Sequence, residues 1–158
     1  MHSRRGWIAY AVFGILLVGL GAILLAPHIS TTPPAPRATS GDVRTVQIAG
    51  ETLRVAIADT EALRERGLGG RESLSQDEGM LFVFPKDGKY AFWMKDMNFP
   101  IDILWLSDTG VVVYMVSNVS PNTYPEDFVP EKPSRYVLEL PSGWANAHEV
   151  QLGGIVQL

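Results

Sequence analysis

The stretch from residue 80 to residue 106 constrains the fold of this chain more than any other. It is the most apolar and aromatic part of the chain after residue 41, yet Lys95, Asp96, Asn98 and Asp102 lie within it. Burying a polar side chain without a partner costs free energy, so a buried strand does not gather such residues without cause. These four residues therefore either close a tight turn between two strands or line a site.

Alternating apolar and polar residues predict a β-hairpin at the start of the domain. Residues 44–48 and 53–57 each place apolar side chains on one face, and Ala49-Gly50 between them is typical of a tight turn. Further runs of strand-forming residues follow along the chain. The predicted strands cover residues 44–48, 53–57, 80–84, 90–94, 101–106, 111–116, 135–140 and 153–158.

Two short helices complete the predicted domain. Asp59 or Thr60 can cap a helix over residues 61–66, which Gly67 ends. A second short helix is predicted over residues 144–148. Many short strands with one or two short helices predict a mainly β domain, built as an antiparallel sandwich or barrel.

The N-terminal segment has the pattern of a membrane anchor. Residues 6–26 contain no charged side chain, and a helix of that length spans about 30 Å, the thickness of the hydrocarbon core. Arg4 and Arg5 precede it, so the positive-inside rule places the N-terminus in the cytoplasm and the rest of the chain across the membrane. The alternative is a cleaved export signal, although this apolar run is longer than such signals usually have.

The sequence therefore divides into four parts. Residues 1–5 form a cytoplasmic n-region, and residues 6–26 form a transmembrane anchor or uncleaved signal that contacts the lipid bilayer. Residues 27–42, rich in Pro, Thr and Ser, form a linker. Residues 43–158 form the β domain. The predicted location is the cell membrane, with a single span and an extracytoplasmic domain.

Charge and composition exclude several classes of function. All 17 acidic residues follow residue 41, whereas Arg4, Arg5 and Arg37 precede it, so 10 of the 13 basic residues remain and the domain carries a net charge of −7. A nucleic-acid partner, which requires a basic face, is not expected. The absence of Cys excludes disulfides and thiolate sites. With His148 as its one histidine, the domain is expected to hold neither a metal nor another cofactor.

Four separated motifs resemble a known family. They are Arg-Gly-Leu-x-x-Arg at 66–71, Gly-Met-Leu-Phe-Val-Phe at 79–84, Phe-Trp-Met-Lys-Asp with Pro-Ile-Asp-Ile at 92–103, and Arg-Tyr-Val-Leu-Glu-Leu-Pro at 135–141. In this order and spacing, residues 43–158 resemble the domain-of-unknown-function 192 (DUF192) family of small exported or membrane-anchored prokaryotic proteins. The resemblance implies a jelly-roll-like β fold. It implies no reaction, because the family has no established activity.

The chain also departs from the pattern of this family. Members often have a longer, Cys-containing insert before the Tyr-Pro that corresponds to Tyr124-Pro125, whereas the segment here is short and has no Cys. Asp96 and Met97 replace the usual Asn-Thr. A disulfide-clamped loop function therefore cannot be transferred to this chain.

The central stretch and its flanks supply the candidate site residues. We expect these residues to form either a ligand-binding site or a structural core motif. They are Arg66, Arg71, Trp93, Lys95, Asp102, Tyr124 and Arg135.

Three interpretations of these residues remain open. In the structural one, Asp102 pairs with Arg66 or Arg71 and fixes a loop. In the binding one, Asp102 meets Lys95 or an arginine, and a small polar ligand, glycan or peptide is held between this motif and the Tyr124 loop. In the catalytic one, Asp96 and Asp102 are the candidate catalytic residues and act as general acid and base on a sugar. The last two interpretations share an aromatic pocket floor of Trp93, Phe99 and Trp105.

The predicted function follows from location and site together. We expect a membrane-anchored extracytoplasmic domain that acts as a non-catalytic binding or accessory module of the cell envelope. The alternative is a hydrolase that acts on envelope glycans through paired carboxylates.

Overall fold

The computed structural model of the protein describes residues 42–158. This part of the chain contains seven strands, two α-helices and one 3-10 helix. The elements are β1 (Val43–Ile48), β2 (Glu51–Ala58), α1 (Glu61–Arg66), β3 (Glu78–Gly88), β4 (Ile101–Leu106), β5 (Val112–Val119), the 3-10 helix Pro121–Thr123, β6 (Ser134–Pro141), α2 (Trp144–Ala147) and β7 (Val156–Gln157).

The seven strands form one curled sheet in the order β5-β4-β6-β3-β2-β1-β7. All neighbouring strands are antiparallel except β2 and β3, which run parallel because α1 and the loop after it return the chain to the same end of the sheet. At the two edges, the backbone of Val111 forms a bridge with Ile155. The prediction of a mainly β fold is confirmed. The observed architecture is a half-barrel made from a single curled sheet, where a jelly-roll-like sandwich or barrel was predicted.

Both faces of the sheet are buried at β4 and over most of β6, which have neighbouring strands on both sides. All six side chains of β4 are buried. Leu104 and Leu106 pack on one face with Leu138 and Trp144, which we call the Leu104 face. Ile103 and Trp105 pack on the other, the Trp105 face. Polar residues on these two strands must therefore find partners inside the protein or stay uncharged.

The predicted turns and helix caps are largely observed. Ala49-Gly50 joins β1 to β2, and the Oγ1 of Thr60 accepts the N–H of Leu63 at 3.3 Å to cap α1. The predicted pairing of residues 101–106 with 111–116 is observed as the β4–β5 hairpin.

The predicted strand over residues 90–94 is not formed. This segment is irregular, with one isolated bridge between Phe92 and Phe128, and the indole N–H of Trp105 donates to the carbonyl oxygen of Tyr90 at 2.9 Å. The segment resembles a strand in composition because it covers the Trp105 face, where Met94 is buried. Burial, rather than a place in the sheet, accounts for its apolar residues.

The predicted transmembrane segment lies outside the described residues. Among residues 42–158, no helix is long and apolar enough to cross a bilayer. The n-region and nearly all of the predicted linker also lie outside them.

Candidate functional site

A cavity of about 280 Å³ opens on the Trp105 face. One wall is α1 with the glycine loop that follows it, and the other is the end of β3 with the irregular segment from residue 90 to residue 97. Glu139, on β6, also lines the cavity. The charged and aromatic residues that line it include Arg64, Arg66, Phe84, Trp93, Lys95 and Glu139.

Aromatic rings supply most of the apolar lining. Phe82 and Phe92 meet edge to face with centroids 4.8 Å apart, and Phe84 and Tyr90 are stacked with centroids 3.5 Å apart. Trp93 also lines the cavity and is 52% exposed. The arrangement gives the cavity a buried aromatic interior and an exposed aromatic residue beside solvent.

The glycine loop brings α1 close to these rings. Gly67 ends the helix with a φ of 53°, and a Cβ added there would lie 3.3 Å from the Cζ atom of Phe82. A Cβ on Gly69 would lie only 2.9 Å from the carbonyl oxygen of Arg66. Both positions therefore favour glycine, and their role is to shape the edge of the cavity.

Arg64 fixes the orientation of α1 against β3. Its Nη1 atom donates to the carbonyl oxygen of Asp59 at 2.6 Å and to that of Val83 at 2.9 Å. Its guanidinium carbon lies 5.3 Å from the centre of the Phe84 ring, within the range of a cation–π interaction. A cation is thus already held against one ring of the lining.

Glu139 is the unusual group of the site. It lies on the Trp105 face opposite Met80 and Ile103, it is 5% exposed, and its Oε2 atom has no hydrogen-bond partner. Burial raises the pKa of Glu139 to about 8, although the positive charge of Arg71 acts in the opposite direction. At neutral pH the carboxyl group is therefore mostly uncharged.

Sequence reasoning missed Glu139, although a signal was present. Tyr136 to Leu140 reads Tyr-Val-Leu-Glu-Leu, and every residue of this run except Glu139 is apolar or aromatic. A strand that is apolar on both faces lies in the centre of a sheet. The single acid in such a strand could have been identified as a buried carboxyl group.

Asp102 has a structural role, with partners other than those that the sequence suggested. It is fully buried, and its Oδ1 accepts the backbone N–H groups of Asn118 at 2.8 Å and Gly143 at 3.0 Å, while its Oδ2 accepts that of Ala145 at 2.8 Å. The expected pairing with Arg66 or Arg71 is not formed, because backbone donors already satisfy the carboxylate. Asp102 joins the start of α2 and the end of β5 to β4.

The predicted acid–base pair is not assembled. Asp96 is exposed in a turn with a φ of 57°, and its carbonyl oxygen accepts the N–H of Gly70 at 2.9 Å. Asp102 lies on β4, on the same face as Leu104 and on the face opposite to Glu139. Because side chains alternate along a strand, Asp102 cannot reach the cavity, and neither Asp lines it.

The other predicted site residues are divided between the cavity and the surface. Arg66, Trp93 and Lys95 line the cavity, and the charge of Arg71 acts on Glu139. The remaining two do not line it. Tyr124 is 49% exposed in the loop before β6, and the Nε of Arg135 donates to Asp87 at 2.7 Å.

The predicted aromatic floor is also revised. Trp105 is fully buried beneath the segment that covers the Trp105 face, and Phe99 packs in the same cluster. Of the three predicted rings, Trp93 lines the cavity. The remaining lining rings come from β3 and from the start of the irregular segment.

His148 is engaged by its own helix. Its ring stacks on Trp144 with centroids 3.9 Å apart, and its Nδ1 atom lies 2.8 Å from the carbonyl oxygen of Trp144. Within residues 42–158, no group of three or more acidic or histidine side chains is arranged to hold a metal ion.

The comparison with protein families decides the relationship of the chain. The family described as "Uncharacterized ACR", DUF192, matches residues 44–158. The chain belongs to the DUF192 family. No curated protein matches the sequence.

Two solved structures are similar to this DUF192 domain. A protein from Sinorhizobium meliloti 1021, provisionally described as a transcription regulator, is 29% identical with a TM-score of 0.71, and the match covers 75% of this chain and 95% of that one. A protein of unknown function from Novosphingobium aromaticivorans DSM 12444 is 25% identical with a TM-score of 0.73, covering 77% and 89%. These similarities support the fold.

The hydrogen bonds of Asp102 predict a large loss of stability on substitution. Asp102→Asn in the full chain should lower the free energy of unfolding by about 3 kcal/mol, because an amide cannot accept from all three backbone donors and leaves buried groups unpaired. Denaturant titration followed by tryptophan fluorescence measures the change. The control Asp96→Asn, at an exposed position with positive φ, should change it by less than about 0.5 kcal/mol. Equal effects of the two variants would contradict the structural role.

Proposed function

We propose that this DUF192 domain is a non-catalytic binding module that holds a small molecule in the cavity beside Glu139. The observation that carries the proposal is a buried carboxyl oxygen without a partner, on a residue that lines an aromatic cavity. Aromatic walls with a few polar groups are the usual composition of a ligand site, and the volume is close to the lower end of the range for such sites.

The positions of Asp96 and Asp102 outside the cavity favour binding over hydrolysis by this pair. Glycoside hydrolysis uses two carboxyl groups that flank one bond, and the pair considered for it, Asp96 and Asp102, does not line the cavity. The net charge of −7 after residue 41 also argues against a nucleic-acid partner. We therefore do not transfer the description of the Sinorhizobium protein to this chain.

The role of Trp93 in ligand binding is testable. A library of small molecules that combine an aromatic or aliphatic body with one polar group should contain compounds that raise the melting temperature of the full chain. Trp93→Ala should weaken the binding of such a compound by roughly tenfold, or about 1.4 kcal/mol, because the ligand loses the ring beside the cavity. Isothermal titration calorimetry measures the change in affinity.

The matched control for Trp93 is Tyr124→Ala. Tyr124 is an aromatic residue of similar exposure that does not line the cavity, so this variant should bind as the wild type does. If no compound in the library binds the wild type, the proposed function is wrong. If both variants lose affinity equally, the ligand does not occupy this cavity.

We further propose that residues 6–26 anchor the domain to the membrane and that the domain faces the outer side, as an accessory module of the cell envelope. The support is the uncharged run of 21 residues and the two arginines, Arg4 and Arg5, that precede it. The proline-rich linker that follows would then separate the domain from the bilayer.

The orientation can be tested because the chain has no cysteine. Asp127→Cys introduces a single thiol at an exposed position of the domain. A membrane-impermeant maleimide should label this variant in intact cells, and the labelled protein should remain in the membrane fraction. A cysteine introduced at Ser3 should react only after the cells are lysed. Labelling of Ser3→Cys but not of Asp127→Cys in intact cells would reverse the proposed orientation.

A further inference from the structure

The chemistry of the cavity specifies more than its size. Phe82, Phe84 and Phe92 line the same cavity as Glu139. The faces of aromatic rings attract cations, and the attraction increases where water is excluded. Oε2 of Glu139 has no hydrogen-bond partner, and in the ionised carboxylate it is an acceptor. A ligand that binds the ionised form must supply an N–H or O–H group to that oxygen.

We propose that the cavity selects a protonated amine with an apolar body, whose ammonium group donates to Oε2 of Glu139 while its body lies among the rings. This inference rests on the proposed binding function and names the ligand class. An ammonium group supplies both the donor and the positive charge, whereas an alcohol supplies only the donor and a carboxylate supplies neither.

The charges around the cavity are compatible with a cation. In the complex, where Glu139 is ionised, the carboxylates of Glu61, Glu65 and Glu139 balance the three cations that line the cavity, Arg64, Arg66 and Lys95. The net charge of −7 after residue 41 attracts cations to the domain from a distance.

Binding of an amine must change the protonation of Glu139. The free protein holds this carboxyl group mostly uncharged at neutral pH, and the ion pair with an ammonium group requires the carboxylate. The proton therefore leaves Glu139 for solvent as the amine enters, so that one positive charge replaces another. Below the pKa of Glu139, affinity for the amine should rise about tenfold for each unit of pH, until the carboxyl group ionises without ligand.

Other charged groups surround Glu139. Arg71 acts on Glu139 from the loop after α1, and Asp102 faces away on the other side of the sheet. Glu78 of β3 is paired with Arg54 at 3.2 Å. The remaining groups that line the cavity are Glu61, Arg64, Glu65, Arg66, Tyr90 and Lys95.

The experiment compares three compounds of similar shape on the full chain by isothermal titration calorimetry. They are phenethylamine, the neutral 2-phenylethanol and the anionic 3-phenylpropionate. Phenethylamine should bind at least tenfold more tightly than either of the others at about pH 8. Its affinity should fall by about tenfold per unit as the pH is lowered. Heats measured in buffers of different ionisation enthalpy should show close to one proton released per amine bound at about pH 7.

Two variants distinguish the effect of Glu139 from that of an exposed glutamate elsewhere in the domain. Glu139→Gln should weaken phenethylamine by at least tenfold and abolish its pH dependence. Glu131→Gln, at an exposed position that does not line the cavity, should leave both unchanged. Should Glu139→Gln fail to fold, the proton release of the wild type still tests the proposal. Binding of phenethylamine without release of a proton would overturn it.

The outcomes also separate this inference from the proposed function. Binding of 2-phenylethanol or 3-phenylpropionate in preference to the amine would overturn the ligand class and leave a binding cavity in place. If none of these compounds binds and the wider library also yields no ligand, the binding function itself fails.

Discussion

The burial of Glu139 in the centre of the sheet is the constraint on which this account of the site depends. It lies on β6, between β3 and β4, and is 5% exposed. An acid at such a position must be paired or uncharged, because removing an isolated charge from water costs far more than the stability of a domain allows. Here Glu139 is uncharged, with one oxygen unpartnered beside an aromatic cavity.

Asp102 shows that the same sheet can bury an acid in another way. Its carboxylate accepts three backbone N–H groups, so it stabilises α2 and the end of β5. Glu139, on the opposite face, has no such donors. A fully satisfied buried acid is what a structural role requires, whereas a buried acceptor that is left free reduces stability unless something binds there. Asp102 therefore serves the structure, whereas Glu139 is the acid on which the proposed binding function rests.

Local patterns predicted most of the elements, because the information for a hairpin, a capped helix or a turn lies within a few residues. The β1–β2 hairpin and α1 are examples. The parallel pairing of β2 with β3 and the register between β4 and β6 depend on distant segments, which local periodicity does not reveal. For the same reason, the sequence left Asp102 open between a site and a structural role, whereas alternation along β4 turns it away from the cavity and toward backbone donors of β5 and α2. Trp93 and Lys95 were identified, but Glu139 was treated as part of an ordinary strand.

The most direct test of a neutral, buried Glu139 is the free energy of unfolding as a function of pH, for wild type and Glu139→Gln. Because burial raises the pKa of Glu139 from 4.5 to about 8, the folded state holds a proton that the unfolded state loses between these values. The stability of the wild type relative to the variant should be greatest below the unfolded pKa. It should then fall by about 1.4 kcal/mol per pH unit and level off above about pH 8. A difference that does not change with pH over this range would contradict the account.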